Sequence, residues 1–243
     1  PRTRATKEDY CGYNTLEDSQ VKENILKAEL EDMQLLAHCN GDRAAEQYMD
    51  MLEAVYRELG SGNSRKPGFY RGDIRPVMIH AQLLGLDQLE RVKRLGIIPS
   101  FFLAHVYHWG DIHVRNFGQE RAGRISPAAS ALKEGICFTL HQDSPVISPD
   151  MLETLWCAVI RETKGGMVLG REECLPVWEA LKALTINGAY QYFEEDEKGS
   201  IVSGKKADFA VLDKNPLSTE PDGIRDIKVL ATIKEDQLIW KRQ

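Results

Sequence analysis

MQLLAHCNGDRAAEQYMDMLEAVYRELG, residues 33 to 60, opens on a short apolar run and continues into a helical pattern. Met33 to His38 reads as a buried strand ending in a histidine. Asp42 to Leu59 reads as an amphipathic helix that Gly60 stops. The same alternation returns down the chain. PVMIH (76–80) reads as a strand, LDQLERVKRLG (86–96) as a helix and IIPSFF (97–102) as a strand. A short helix follows over Ser126–Lys133, then strand ICFTL (136–140) and helices over Pro149–Arg161 and Glu172–Leu184. Upstream, Val21, Ile25, Leu26 and Leu30 have helical spacing, with Thr15 or Asp18 available as caps. Four short apolar strands alternating with amphipathic helices imply an α/β fold with a parallel sheet and helical crossovers.

Two stretches break the rhythm. SGNSRKPGFYRGD (61–73) reads as a polar, glycine-rich loop, and LAHVYHWGDIHVRNFGQERAGR (103–124) as a functional loop or lid. Near Tyr190 the character changes. EEDEK (194–198) reads as a solvated acidic turn. GSIVSGKKADFAVLDKNP (199–216) and IKVLATIKEDQLIWKR (227–242) alternate with period two, which signals antiparallel β structure. The expected division is an α/β part over residues 1–190 and a small β unit over 191–243.

The net charge of −6 argues against nucleic acid or an anionic membrane as the main partner. No apolar run is long enough to span a bilayer. The 5 cysteines are widely spaced without a CxxC pair, which suggests reduced thiols and a cytoplasmic protein. No signal peptide is visible, and a chain opening on Pro1 suggests that something upstream is missing.

His38 and His80 each end a strand, and Asp143 lies just beyond the last strand of the α/β part. The first separation fits one βα unit plus the glycine-rich loop, and the second fits two units. Carboxyl ends of parallel strands are where α/β folds place their sites. Two imidazoles and a carboxylate converging there suit zinc or a similar divalent ion. A single strand-end histidine is more often structural, but three such residues in order are harder to dismiss. His105, His108 and His113 form a rival cluster, which reads as a substrate-facing loop or a plain surface loop. His141 precedes Asp143 by two residues on an extended segment, so both can face one side, in contact with substrate or metal or in a structural role. Cys39 reads as core.

At these residues the chain resembles the amidohydrolase superfamily, in the family 3 branch that includes N-substituted formamide deformylases. AHCNGDRA (37–44) is similar to that branch's strand-five motif and MIHAQ (78–82) to its strand-six motif. HQDSPV (141–146) is similar to the strand-eight motif, with Gln142 where serine is usual. GSIVSGKKADFAVLD (199–213) is similar to the sandwich-domain motif. The resemblance implies a (β/α)8 barrel with an attached β-sandwich, and metal-activated water attacking an amide-type C–N bond. It makes His38, His80 and Asp143 metal ligands, Asp143 also the general base, and zinc the expected metal, as one or two ions in the complete enzyme. It places His105 where it could polarise the scissile carbonyl or bind substrate. His141 is a further candidate for substrate contact.

The superfamily's strand-one His-x-His and strand-four lysine are absent, and PRTRATKEDYCGYNT (1–15) resembles the segment just after strand four. The resemblance therefore implies only the carboxyl-terminal half: strands five to eight and part of the sandwich, inactive alone. The expected partners are the missing amino-terminal half or a second copy, with a small amide-type molecule as substrate. The alternative is a catalytically dead remnant acting as an oligomerising or binding module.

Overall fold

The computed structural model describes residues 13–60 and 73–243. Cys11, most of the segment likened to the one after strand four, and all but the end of the glycine-rich loop lie outside the described residues. The chain forms two compact units. One holds the chain up to Phe101 together with His113–Cys137, the other Phe102–Ile112 and Phe138–Gln243.

In the first unit, α1 spans Asp18–Leu30. Its cap is Glu17 rather than Thr15 or Asp18: the Glu17 N–H donates to Gln20 Oε1 at 3.0 Å. Asp18 instead accepts from Gln47 Nε2 at 2.8 Å. Strand β1 is Leu36–Cys39, α2 is Asp42–Glu58 and β2 is Val77–His80. A 3-10 turn, Leu86–Gln88, runs into α3, Leu89–Arg94, and β3 is Ile98–Phe101. Both pairings are parallel: Leu36 sits opposite Val77, and Val77 opposite Ile98. Helix α2 buries Ala45, Tyr48, Met49, Leu52 and Val55, the stripe its apolar spacing announces. Its outer side holds Asp50 and Glu53, which bind Arg91 of α3 at 2.6 and 2.8 Å.

The stretch read as a lid is helical. Helix α4 spans Ala104–Phe117 and α5 spans Gln119–Gly123, with α6 over Ala128–Lys133. The up-chain part of α4 belongs to the second unit, where Gly110 is buried. A Cβ there would stand 2.5 Å from Thr163 Cγ2. Thr163 cannot swing aside cheaply, because its hydroxyl donates to Asp111 Oδ1 at 2.7 Å. A helix that docks through a glycine and imidazoles shows no clean apolar stripe, which is why its periodicity is faint.

The second unit continues with β4, only Thr139–Leu140 of the expected ICFTL, and α7, Met151–Ile160. The expected helix over Glu172–Leu184 is broken. Arg171–Glu173 makes a 3-10 turn and α8 starts at Val177, after Pro176, whose fixed φ and missing N–H suit a helix start. Helix α9 is Ile186–Gln191. Strands β5 (Phe209–Leu212), β6 (Val229–Lys234) and β7 (Gln237–Lys241) form an antiparallel sheet in that order. Within GSIVSGKKADFAVLDKNP, only Phe209–Leu212 is strand. Among the described residues, no helix is long and apolar enough to cross a membrane.

Candidate metal centre

His38 and His80 stand near the carboxyl ends of neighbouring parallel strands. In register His38 lies opposite Ile79 and Cys39 opposite His80. A regular pleat would therefore send the two imidazoles to opposite faces. His80, however, has φ +68° and Ala81 φ +45°. This left-handed pair ends the alternation, and the two rings meet edge to face with centroids 4.6 Å apart. Non-glycine residues rarely adopt this conformation unless surrounding contacts enforce it, and such residues concentrate at functional sites. Leu83 N–H donates to Asn40 O at 2.9 Å, tying together the segments just beyond both strands. His38 is exposed, His80 buried.

The second unit carries the other sequence candidates. Asp143 has φ +55°, and a carboxylate oxygen of Asp143 and a ring nitrogen of His141 lie within 4.8 Å of each other. Both side chains are half-buried. The His141 ring stacks on Phe102 at 5.6 Å, and His105 meets the same Phe102 edge to face at 4.8 Å. The two residues singled out for substrate contact thus share an aromatic neighbour. Gln142, between His141 and Asp143, is buried, and its amide donates to Asp150 O and Thr154 Oγ1. It anchors the segment to the start of α7, where the Asp150 carboxylate caps the N–H groups of Leu152 and Glu153.

The rival histidine cluster is dispersed along α4. His108 lies 2.9 Å from Glu153 Oε1, while His113 contacts Gln82 Nε2 at 3.0 Å and stacks on Phe117 at 5.4 Å. Burial pushes the His113 pKa down. Cys39 is buried as expected, and burial raises its thiol to about 12, so it offers no thiolate to a metal at neutral pH. Asp42 and Arg121 pair at 2.8 Å beside the first unit's histidines. The sequence offered no sign of that contact, because it joins residues far apart in the chain.

Residues 2–239 match the amidohydrolase family. This chain is a member of amidohydrolase family 3. Among its relatives is the N-substituted formamide deformylase of Arthrobacter pascens, 28% identical over 235 residues, covering 96% of this chain and 41% of the relative. The Bacillus subtilis protein YtcJ is 26% identical over 253 residues, covering 99% of this chain and 45% of YtcJ. Among solved structures, an uncharacterized metal-dependent hydrolase from Pyrococcus horikoshii OT3 is similar with a TM-score of 0.71. It is 25% identical, covering 88% of this chain and 41% of that one. The amidohydrolase chain thus spans less than half the length of these relatives.

Proposed function

We propose that the chain supplies half of the active site of a metal-dependent hydrolase acting on an amide-type C–N bond of a small molecule. In this reading residues 1–190 are strands five to eight of a (β/α)8 barrel, and residues 191–243 part of a β-sandwich. The observation that supports it best is the His38–His80 ring pair, edge to face at 4.6 Å beside the left-handed turn at His80 and Ala81. Imidazole and carboxylate donors suit zinc, so the residues present fit such an ion. His38, His80 and Asp143 would hold it, and His141 adds a nitrogen donor within reach of Asp143.

When bound, the ion would polarise the scissile carbonyl and lower the pKa of a water towards about 7. Asp143 would take the proton from the attacking water and deliver it to the leaving nitrogen. Phe102 would give His105 and His141 a common apolar wall against which a substrate could be placed. The family's remaining ligands lie outside this sequence, so the chain alone should hold zinc weakly.

Zinc titration of the purified chain, followed by histidine ring resonances, tests both halves of the reading. Zinc in large excess should shift His38, His80 and His141 while leaving His108 and His113 in place. No shift at His38 and His80 would defeat the metal site. One zinc per molecule surviving exhaustive dialysis would defeat the claim that the ligand set is incomplete.

A further inference from the structure

Just beyond the two strands, a chain of side-chain contacts links the segment after His80 to the segment after His38. Gln82, the second residue after His80, points its amide nitrogen at His113 Nε2 across 3.0 Å. An amide nitrogen only donates, so His113 Nε2 accepts and the ring proton sits on Nδ1. A neutral ring is what burial of His113 favours. The His113 ring lies nearly parallel to Phe117, with 8° between planes. The Arg121 guanidinium sits over Phe117 at 5.5 Å and pairs with Asp42 Oδ2 at 2.8 Å. Asp42, the fourth residue after His38, starts α2 and accepts from Arg43 N–H through Oδ1. The main chain is fixed as well: Gln82 O accepts from Ser126 N–H at 2.7 Å, and Asn40 O accepts from Leu83 N–H.

We propose that Gln82, His113, Phe117, Arg121 and Asp42 form a brace that sets the His80 ring against His38, with His113 as the positioning residue. The inference rests on the metal reading above. Its physical basis is the left-handed backbone at His80 and Ala81, which persists only if neighbouring contacts over-determine it. Gln82 is the first residue after that turn with a side chain able to anchor it, and Gln82 is buried. Partners hydrogen-bonded directly to metal ligands fix ring orientation, and their loss typically weakens metal binding by about 10–100-fold. The brace acts one step further out, through the backbone at Gln82, so the low end of that range applies.

The test uses ring-labelled histidines, 6 in all, in the full chain. The wild type should show His113 as the Nδ1–H tautomer and a cross-relaxation peak between the His38 and His80 rings. His113→Phe keeps the stacking on Phe117 but cannot accept from Gln82. It should lose the cross-peak and weaken the zinc-induced shifts of His38 and His80 by about tenfold in concentration. His113→Gln, which returns an acceptor near the Nε2 position but not the ring against Phe117, should restore both readouts in part. If His113→Phe does not fold, Arg121→Met probes the other end of the brace and should also lose the cross-peak.

The proposal is overturned by an Nε2–H tautomer at His113 or by a folded His113→Phe that keeps its cross-peak and zinc response. It is equally overturned if His113→Gln is as damaged as His113→Phe. A wild type indifferent to zinc defeats the metal reading instead, and the tautomer and cross-peak still decide the brace.

Discussion

Glu53 lies between two guanidinium groups. Arg91 reaches both its carboxylate oxygens at 2.8 Å, and Arg94 reaches Oε1 at 2.7 Å. The Arg91 hydrogen bonds, with Arg94 behind them, lower its pKa from 4.5 to about 2, against the opposing pull of desolvation. A depressed carboxylate contributes stability above its unfolded pKa and loses it as pH falls through the folded one. The Glu53 contribution is therefore complete above about pH 4.5 and gone near pH 2. Glu53→Gln should lower the urea midpoint at pH 7, and the gap to the wild type should close between pH 4.5 and 2. A gap unchanged down to pH 2 would show that the charge on Glu53 is not what stabilises the fold. At this scale the sequence made the strand ends at His38 and His80 legible, and the segment after β4 that holds His141 and Asp143, because an apolar run stopping at a polar residue marks them. Glu53 with Arg91, and Gln82 with His113, do not, because nothing local in the chain records a contact made across helices.

Helix α7 shows what an element's ends are worth. The Asp150 carboxylate accepts from the N–H groups of Leu152 and Glu153 at 3.0 and 3.1 Å. Losing such a cap costs about 1 kcal/mol, with a range of roughly 0.5–2. Asp150→Ala should lower the unfolding free energy by that amount in chemical denaturation, and Asp150→Asn should recover most of it. Equal losses in both variants would mean that the charge of Asp150 at the helix start, rather than the cap hydrogen bonds, supplies the stability. The same helix was readable from its apolar run, as were α2 and the antiparallel strands, because burial there follows a regular period. Helix α4 was not readable. Its buried positions include Ala104, Val106 and Gly110, too small a set to mark a stripe, and its imidazoles read as loop chemistry. Strand β4 shrank to two residues for the complementary reason: an apolar run records burial, and burial does not require ladder hydrogen bonds.

Across the whole molecule, β1 pairs with β2 along one side, and among the described residues no other pairing of β1 is recorded. Leu36 is 41% exposed on that strand. A strand with an open row of N–H and C=O groups beside exposed apolar side chains invites another strand. If that edge is open, the chain should associate with a second copy at micromolar concentration. Light scattering that gives a monomer with a single cooperative melt would show the edge to be protected by other means. The partition into two units has a different consequence, for anyone who wishes to take the protein apart. Each unit is assembled from two separate stretches of chain, and the border falls inside α4, between Ile112 and His113. No single stop codon or protease site can release either unit whole. A gene cut after Phe101 would yield a first unit lacking His113–Cys137 and with it one arm of the brace. Dissection has to proceed by rejoining segments, in the manner of a circular permutant, rather than by truncation.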